Sequence, residues 1–241
     1  MDFVFMKDTF LSLLSGVPLT LNLAFTSVAL GAVLAMVLAL MRMSGYRALD
    51  WPAQAYVFVF RGTPLLVQIF LIYYGLGQFR PTLQEWGLWT FFREPYWCAI
   101  LAFTLNTAAY ASEIIRGGLQ AVPHNQVEAA RACGMSRLLL FRRIIFPIAV
   151  RQALPAYGSE LILMVKATSL ASVITMMELT GIAHKLISQT FRVIEVFVVA
   201  GLIYLILNFT LTRIIMAVEW RLSPHLRRPT AIEPRLEAAH V

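Results

Sequence analysis

The chain has 241 residues, 59% hydrophobic and only 14% charged. Soluble domains are roughly a quarter charged, so this composition excludes an ordinary water-soluble domain and points to a bilayer as solvent. The net charge of +7 fits arginines held on the cytoplasmic side of a membrane protein, and nucleic-acid binding is set aside.

Residues 1–15 place Phe3, Met6, Phe10, Leu13 and Leu14 at helical spacing. They form either an interfacial amphipathic helix or an extension of the first spanning helix. The apolar block from Gly16 to Met41 is too long for a cleavable signal, and more membrane segments follow it. Five spans are predicted, near 17–41, 53–78, 96–116, 152–175 and 195–217, each near the roughly 20 residues that cross a bilayer. The fourth is the weakest, because Glu160 and Lys166 interrupt it.

The positive-inside rule orients these spans. With the N-terminus outside and the C-terminus inside, thirteen of the twenty Lys and Arg residues fall on inside segments and five on outside ones. Arg61 and Lys166 remain within the membrane. Trp51, Trp97 and Trp220 sit near span ends, as an aromatic belt requires. The stretches Arg80–Pro95 and Ile182–Glu195 read as external loops. One transmembrane domain of residues 1–222 is expected, followed by a cytoplasmic tail of 223–241. Cys98 and Cys133 fall on opposite sides of the membrane and cannot pair, and the four histidines have no zinc spacing.

Polar features interrupt the apolar blocks. Gly31, Ala35 and Ala39 make a small-residue packing stripe on the first span. In Arg61-Gly62-Thr63-Pro64, the proline removes a backbone hydrogen bond and the glycine weakens the helix, so a kink or unwound turn is expected. Asn106 and Tyr110, four apart, share one face of the third span, where they line a pathway or bond between helices. Glu113 and Arg116 read as an intrahelical pair.

The hydrophilic stretch EAARACGMSRLLLFRRIIFP, Glu128 to Pro147, lies within a cytoplasmic loop of residues 118–150. Asn125 and Glu128 have capping-box spacing for a short helix, which Gly134 ends. Small Ala129 and Ala130 let another protein approach, with Arg131 beside them. A second helix, Leu138–Ile145, returns to the membrane and stops at Pro147. The alternative is an amphipathic loop whose arginines meet anionic lipid.

Glu160 and Lys166 stand six residues apart, about 600° around a helix, so they point in different directions. Each needs a separate partner, or one faces an aqueous path. Thr168 and Ser169 follow at a place where the helix can break. Glu178 lies near the external end and reads as solvated.

The Glu-Ala-Ala…Gly134…Ile144…Phe146-Pro147 spacing resembles the EAA loop of the membrane subunits of ABC importers, with Phe146 where leucine is usual. The runs FRGTPLLVQ (Phe60–Gln68), LNTAAYASEIIRGG (Leu105–Gly118) and LPAYGSELILMVKATSLAS (Leu154–Ser172) resemble amino-acid importer permeases, nearest to M-type subunits for opines and for histidine, lysine and arginine. The resemblance implies an all-α type I permease fold with a cytoplasmic coupling helix, in the bacterial inner membrane. It implies two permeases, homodimer or Q-type heterodimer, with an ATPase dimer and a periplasmic binding protein. Glu128, Ala129, Ala130, Arg131, Gly134 and Pro147 would couple to the ATPase. Glu160, Arg61, Asn106, Tyr110, Lys166 and Ser169 would line the substrate path, Glu160 taking the cationic end of a basic amino acid or opine. A structural pair of Glu160 with Arg61 is the other reading. The chain has no phosphate-binding G-x-x-x-x-G-K-[ST] loop, so no cofactor is expected and ATP belongs to a partner. An ion-coupled secondary transporter is the alternative, disfavoured by an odd span number and no visible inverted repeat.

Overall fold

The computed structural model describes residues 2–222. The expected tail, 223–241, lies outside the described residues. The described chain is helical, in the order α1 (Phe3–Leu14), α2 (Val17–Met43), α3 (Arg47–Gly62), α4 (Leu65–Gln78), α5 (Arg80–Glu85) and α6 (Trp89–Phe92). Then come α7 (Pro95–Gln120), α8 (His124–Ala132), α9 (Arg137–Leu140), a π turn Phe141–Ile145, and α10 (Phe146–Ala167). A 3₁₀ segment Thr168–Ile174, α11 (Leu179–Thr190) and α12 (Val193–Leu222) complete it.

Four helical stretches are long and apolar enough to cross a membrane, or five if the bent pair α3–α4 counts as one span. Phe3–Met43 forms one 41-residue stretch, so the extension reading of the N-terminus holds. The second span is more than kinked: α3 and α4 meet at 103° across Thr63-Pro64. Pro64 has no N–H to continue the ladder, which forces the break. The two stretches read as external loops carry the short helices α5 and α6 and most of α11.

α7 is the axis of the fold. It packs against α2 most extensively, and against α10, α4 and α3. Small residues allow this close approach. Gly31 lies so near Thr107 and the Thr104 carbonyl that any Cβ there would collide, while Ala35 and Ala39 are fully buried. The principal core joins Leu23, Ala24, Ala99, Phe103, Met164 and Ile174. A second cluster around Leu13, Leu179, Val196 and Ile203 fastens α1 to α11 and α12. Apolar side chains also point outward, Phe58 at 80% and Leu71 at 67% exposure, as a bilayer or an apolar partner permits. Cys98 is buried, Cys133 is exposed, and both are free.

Candidate functional site

The first candidate is the helical corner of α8 and α9. The capping-box expectation fails. α8 begins at His124 with Pro123 as its N-cap residue, and Asn125 sits inside the helix, accepting from the Gln126 N–H at 2.9 Å. A proline whose φ is already near the helical value and whose successor starts the ladder displaces the cap upstream. Glu128 instead pairs along the exposed face with His124, Nδ1 to Oε1 at 3.1 Å. The C-terminus is as expected. Gly134 takes φ +76°, its N–H bonds the Arg131 carbonyl at 2.9 Å, and Met135 N–H bonds the Ala130 carbonyl at 3.2 Å. This is a Schellman closure, which favours glycine. Ala129 and Arg131 are exposed, but Ala130 turns inward at 6% exposure, so one alanine of the two offers a contact surface.

Pro147 does not stop the second helix. Helical structure runs on from Arg137 to Ile174. The π turn Phe141–Ile145 lies immediately before Pro147, and Phe146 N–H reaches back five residues to the Phe141 carbonyl. The widened turn accommodates the proline ring and its missing N–H, which an α-helical turn would not. Leu138 (77% exposed) and Phe141 give the corner an apolar flank.

The second candidate is a cavity of about 190 Å³ lined by Leu65, Asn106, Tyr110, Glu160, Leu163, Met164 and Ala167. α7 brings Asn106 and Tyr110 to it from one face, and α10 brings Glu160. Glu160 is 7% exposed, and Thr107 Oγ1 donates to its Oε1 at 2.9 Å. Among the described residues Oε2 has no hydrogen-bond partner. The alternative pairing with Arg61 does not form. Arg61 lies over the Tyr110 ring, 5.2 Å from its centroid, and lines a neighbouring cavity of about 490 Å³ with Arg42, Gln54, Tyr110 and Glu113. Tyr110 is common to both. Lys166 and Ser169 are not brought to either cavity. Lys166 is exposed, and the Ser169 hydroxyl bonds the Lys166 carbonyl at 2.7 Å. Thr168 likewise bonds the Val165 carbonyl, so the helix tightens to 3₁₀ at this point rather than breaking.

Glu113 bonds Arg116 at 2.7 Å, the expected intrahelical pair, and also pairs with Arg42 of α2. Arg42 reaches Asp50 at 3.9 Å as well. The network joins three elements where the sequence reading placed one helix.

Two groups escaped sequence reasoning. Glu178 is not solvated but fully buried. It caps α11, accepting the Thr180 and Gly181 N–H groups at 2.9 and 2.8 Å and the Tyr204 and Thr20 hydroxyls at 3.2 and 3.4 Å. Its spacing to Gly181 was the available signal. Gln68 is the other. Its Nε2 donates to the carbonyls of Phe60 (2.9 Å) and Thr63 (3.1 Å) and to Thr63 Oγ1 (2.8 Å), closing the α3–α4 corner.

Comparison with known proteins places this architecture. Residues 9–224 match the family described as "Binding-protein-dependent transport system inner membrane component". The chain is 58% identical to the octopine transport system permease protein OccM of Rhizobium meliloti, over 100% of this chain and 99% of that protein. It is 55% identical to the nopaline transport system permease protein NocM of Agrobacterium fabrum, over all of both chains. The histidine/lysine/arginine/ornithine transport system permease protein HisM of Escherichia coli K12 is 39% identical, over 88% of this chain and 90% of that one. Among solved structures, a chain of an amino acid ABC transporter with histidines superposes with a TM-score of 0.81 at 36% identity, covering 92% and 99% of the two chains. A chain of the MetNI methionine ABC transporter shares the fold, with a TM-score of 0.69 at 20% identity over 88% and 96%. These likenesses set aside the secondary-transporter alternative. The chain belongs to the binding-protein-dependent transport system inner membrane components, the non-catalytic permease subunits of ABC importers.

Proposed function

We propose that this chain is the M-type permease subunit of an importer for basic amino acids or opines such as octopine and nopaline. It would pair with a second, Q-type permease, an ATPase dimer and a periplasmic binding protein. Residues 1–222 would be the permease domain, N-terminus outside, with 223–241 a cytoplasmic tail. Glu128, Ala129, Arg131 and Gly134 would meet the ATPase, and Pro147 would sit where the loop's motion enters the membrane. The Glu160 cavity would take the cationic end of the substrate.

One observation carries the substrate class. A buried carboxylate, Glu160, faces a cavity with one oxygen unclaimed, in a chain closely similar to permeases named for octopine and nopaline. A buried carboxylate needs a cationic or donor-rich partner, and a guanidinium fork satisfies it best.

The test is purification of the tagged chain from its native membrane in mild detergent, followed by identification of what accompanies it. An ATPase with a second, different permease supports the heterodimer. An ATPase alone gives a homodimer with two equivalent sites. Recovery without any ATPase sinks the role assigned to the α8–α9 corner. ATP-dependent uptake of arginine and octopine into vesicles of the same complex tests the substrate class.

A further inference from the structure

The α3–α4 corner leaves carbonyls at the end of α3 without helical donors. They are satisfied by side chains. Thr63 Oγ1 donates to the Val59 carbonyl at 2.8 Å. Gln68, 6% exposed on α4, donates through Nε2 to the carbonyls of Phe60 and Thr63 and to Thr63 Oγ1.

These acceptors fix the orientation of the Gln68 amide. A carbonyl accepts only, and the Thr63 hydroxyl already donates its proton to Val59, so the amide must present its nitrogen to all three. Its Oε1 is then the atom left for α7, and Asn106 Nδ2 donates to it at 3.0 Å. Asn106 Nδ2 also reaches the Phe60 carbonyl at 3.4 Å, which an oxygen there would not tolerate. The Asn106 amide is thereby oriented too. Both bonds use its nitrogen, and Oδ1 is the atom without a protein hydrogen bond among the described residues. Asn106 lines the cavity with Glu160.

We propose that Gln68 is a positioning residue for substrate selection. It transmits the carbonyl polarity of the broken helix to Asn106, so that Asn106 offers the cavity an acceptor, Oδ1, beside the Glu160 carboxylate. The cavity then presents acceptors from both α7 and α10. It favours a ligand end made of N–H donors, an ammonium or guanidinium, over a carboxamide, which brings an acceptor of its own. This rests on the substrate reading above, and it assigns a role to a residue that does not line the cavity.

The experiment uses the assembled transporter in ATP-loaded proteoliposomes, with KM and kcat measured for arginine and glutamine. Gln68→Leu removes the 3.0 Å bond and leaves the Asn106 amide held only by the long contact to the Phe60 carbonyl, and the preference for arginine over glutamine falls about tenfold, through KM, as loss of a hydrogen bond to a charged group predicts. Asn106→Asp in the Gln68→Leu background restores the preference, because a carboxylate offers an acceptor in either orientation. Asn106→Asp alone gives the gain due to the added charge, and a merely structural corner defect would show no recovery beyond that gain. The proposal is overturned if Gln68→Leu keeps the parent preference, or if the double variant fails to recover it beyond that gain. Should Gln68→Leu not assemble, Gln68→Met, closer in shape, is carried through the same pair. If the parent complex carries no cationic amino acid, the substrate reading falls separately. The Gln68 relation is then read on the amino acid the parent does carry, where an unchanged KM in Gln68→Leu overturns it.

Discussion

Tyr204 of α12, itself half-buried, donates its hydroxyl at 3.2 Å to the fully buried carboxylate of Glu178. The same Glu178 oxygen accepts from Thr20 of α2 and from the first turn of α11. Glu178→Ala leaves two backbone N–H groups without their acceptor and takes one bond each from the Thr20 and Tyr204 hydroxyls, which keep the Gly16 carbonyl and Thr180 Oγ1. We expect a loss of about 3 kcal/mol, read as a lower thermal midpoint of the purified complex. Tyr204→Phe removes a single donor and costs about 1 kcal/mol. Equal midpoints for Glu178→Ala and the parent would show that the cap does not hold these helices together.

Gly134 occupies the left-handed region at φ +76° with open space around it. The cost of a side chain there is conformational, not steric crowding. Gly134→Val is expected to cost about 1–2 kcal/mol locally and to distort the α8–α9 corner without unfolding the membrane helices. Uptake should fall while the amount of permease in the membrane stays at the parent level. Normal uptake by Gly134→Val would mean that the corner's shape is immaterial to coupling.

Glu160→Gln keeps the shape and the Thr107 contact but removes the charge. Uptake of cationic substrates should fall about tenfold or more, with partner subunits still copurifying. Thr107→Val leaves the carboxylate in place and removes one donor, so its effect should be smaller. Undiminished uptake by Glu160→Gln removes Glu160 from the substrate path.

Asp2 caps α1, accepting from the N–H groups of Val4 and Phe5 at 3.1 and 3.2 Å, and meets Arg192 at 3.1 Å. The Phe5 N–H, and then Arg192, hold its carboxyl below its ordinary value. A depressed carboxyl contributes stability above its unfolded value and loses it as pH falls through the folded one. Below about pH 4 the start of α1 should therefore loosen, seen as a lower amide hydrogen-exchange protection factor, relative to the intrinsic rate at each pH, over Val4 and Phe5. Asp2→Asn should remove this acid dependence, and its persistence in that variant would assign the effect to another group.

What sequence could convey depended on how local each cause was. Pro64 two residues after Gly62 announced a break, because the missing N–H acts within one turn, and 100° per residue was enough to separate Glu160 from Lys166. Asn106 and Tyr110 converge on one cavity for the same reason. Glu178 misled, since its burial is created by α2, α11 and α12 together and no window of sequence contains all three. Gln68 stood in plain view in FRGTPLLVQ, yet its role depends on a chain fold of 103° that brings an amide back onto carbonyls five and eight residues upstream. Pro147 misled in the opposite direction. A proline reads as a stop unless the preceding turn widens, and that widening has no residue-level signature in FRRII.

The widened turn at Phe141–Ile145 also lets the rod beyond it keep its azimuth while holding one extra residue. A π turn holds one residue more than an α turn, so deleting a single residue there would let the helix close up as a regular one. The remainder of the rod would then keep its azimuth, whereas a deletion from a regular α turn would rotate it by about 100° and shift it by about 1.5 Å. That second kind of change would swing Glu160 away from Thr107 and bring a different side chain to face α7. The number of residues between the surface corner and the membrane is thus not free to drift. Apart from the one residue the π turn can give up, insertions and deletions in the helix leading to Pro147 act as a dial on the contents of a cavity more than three helical turns away.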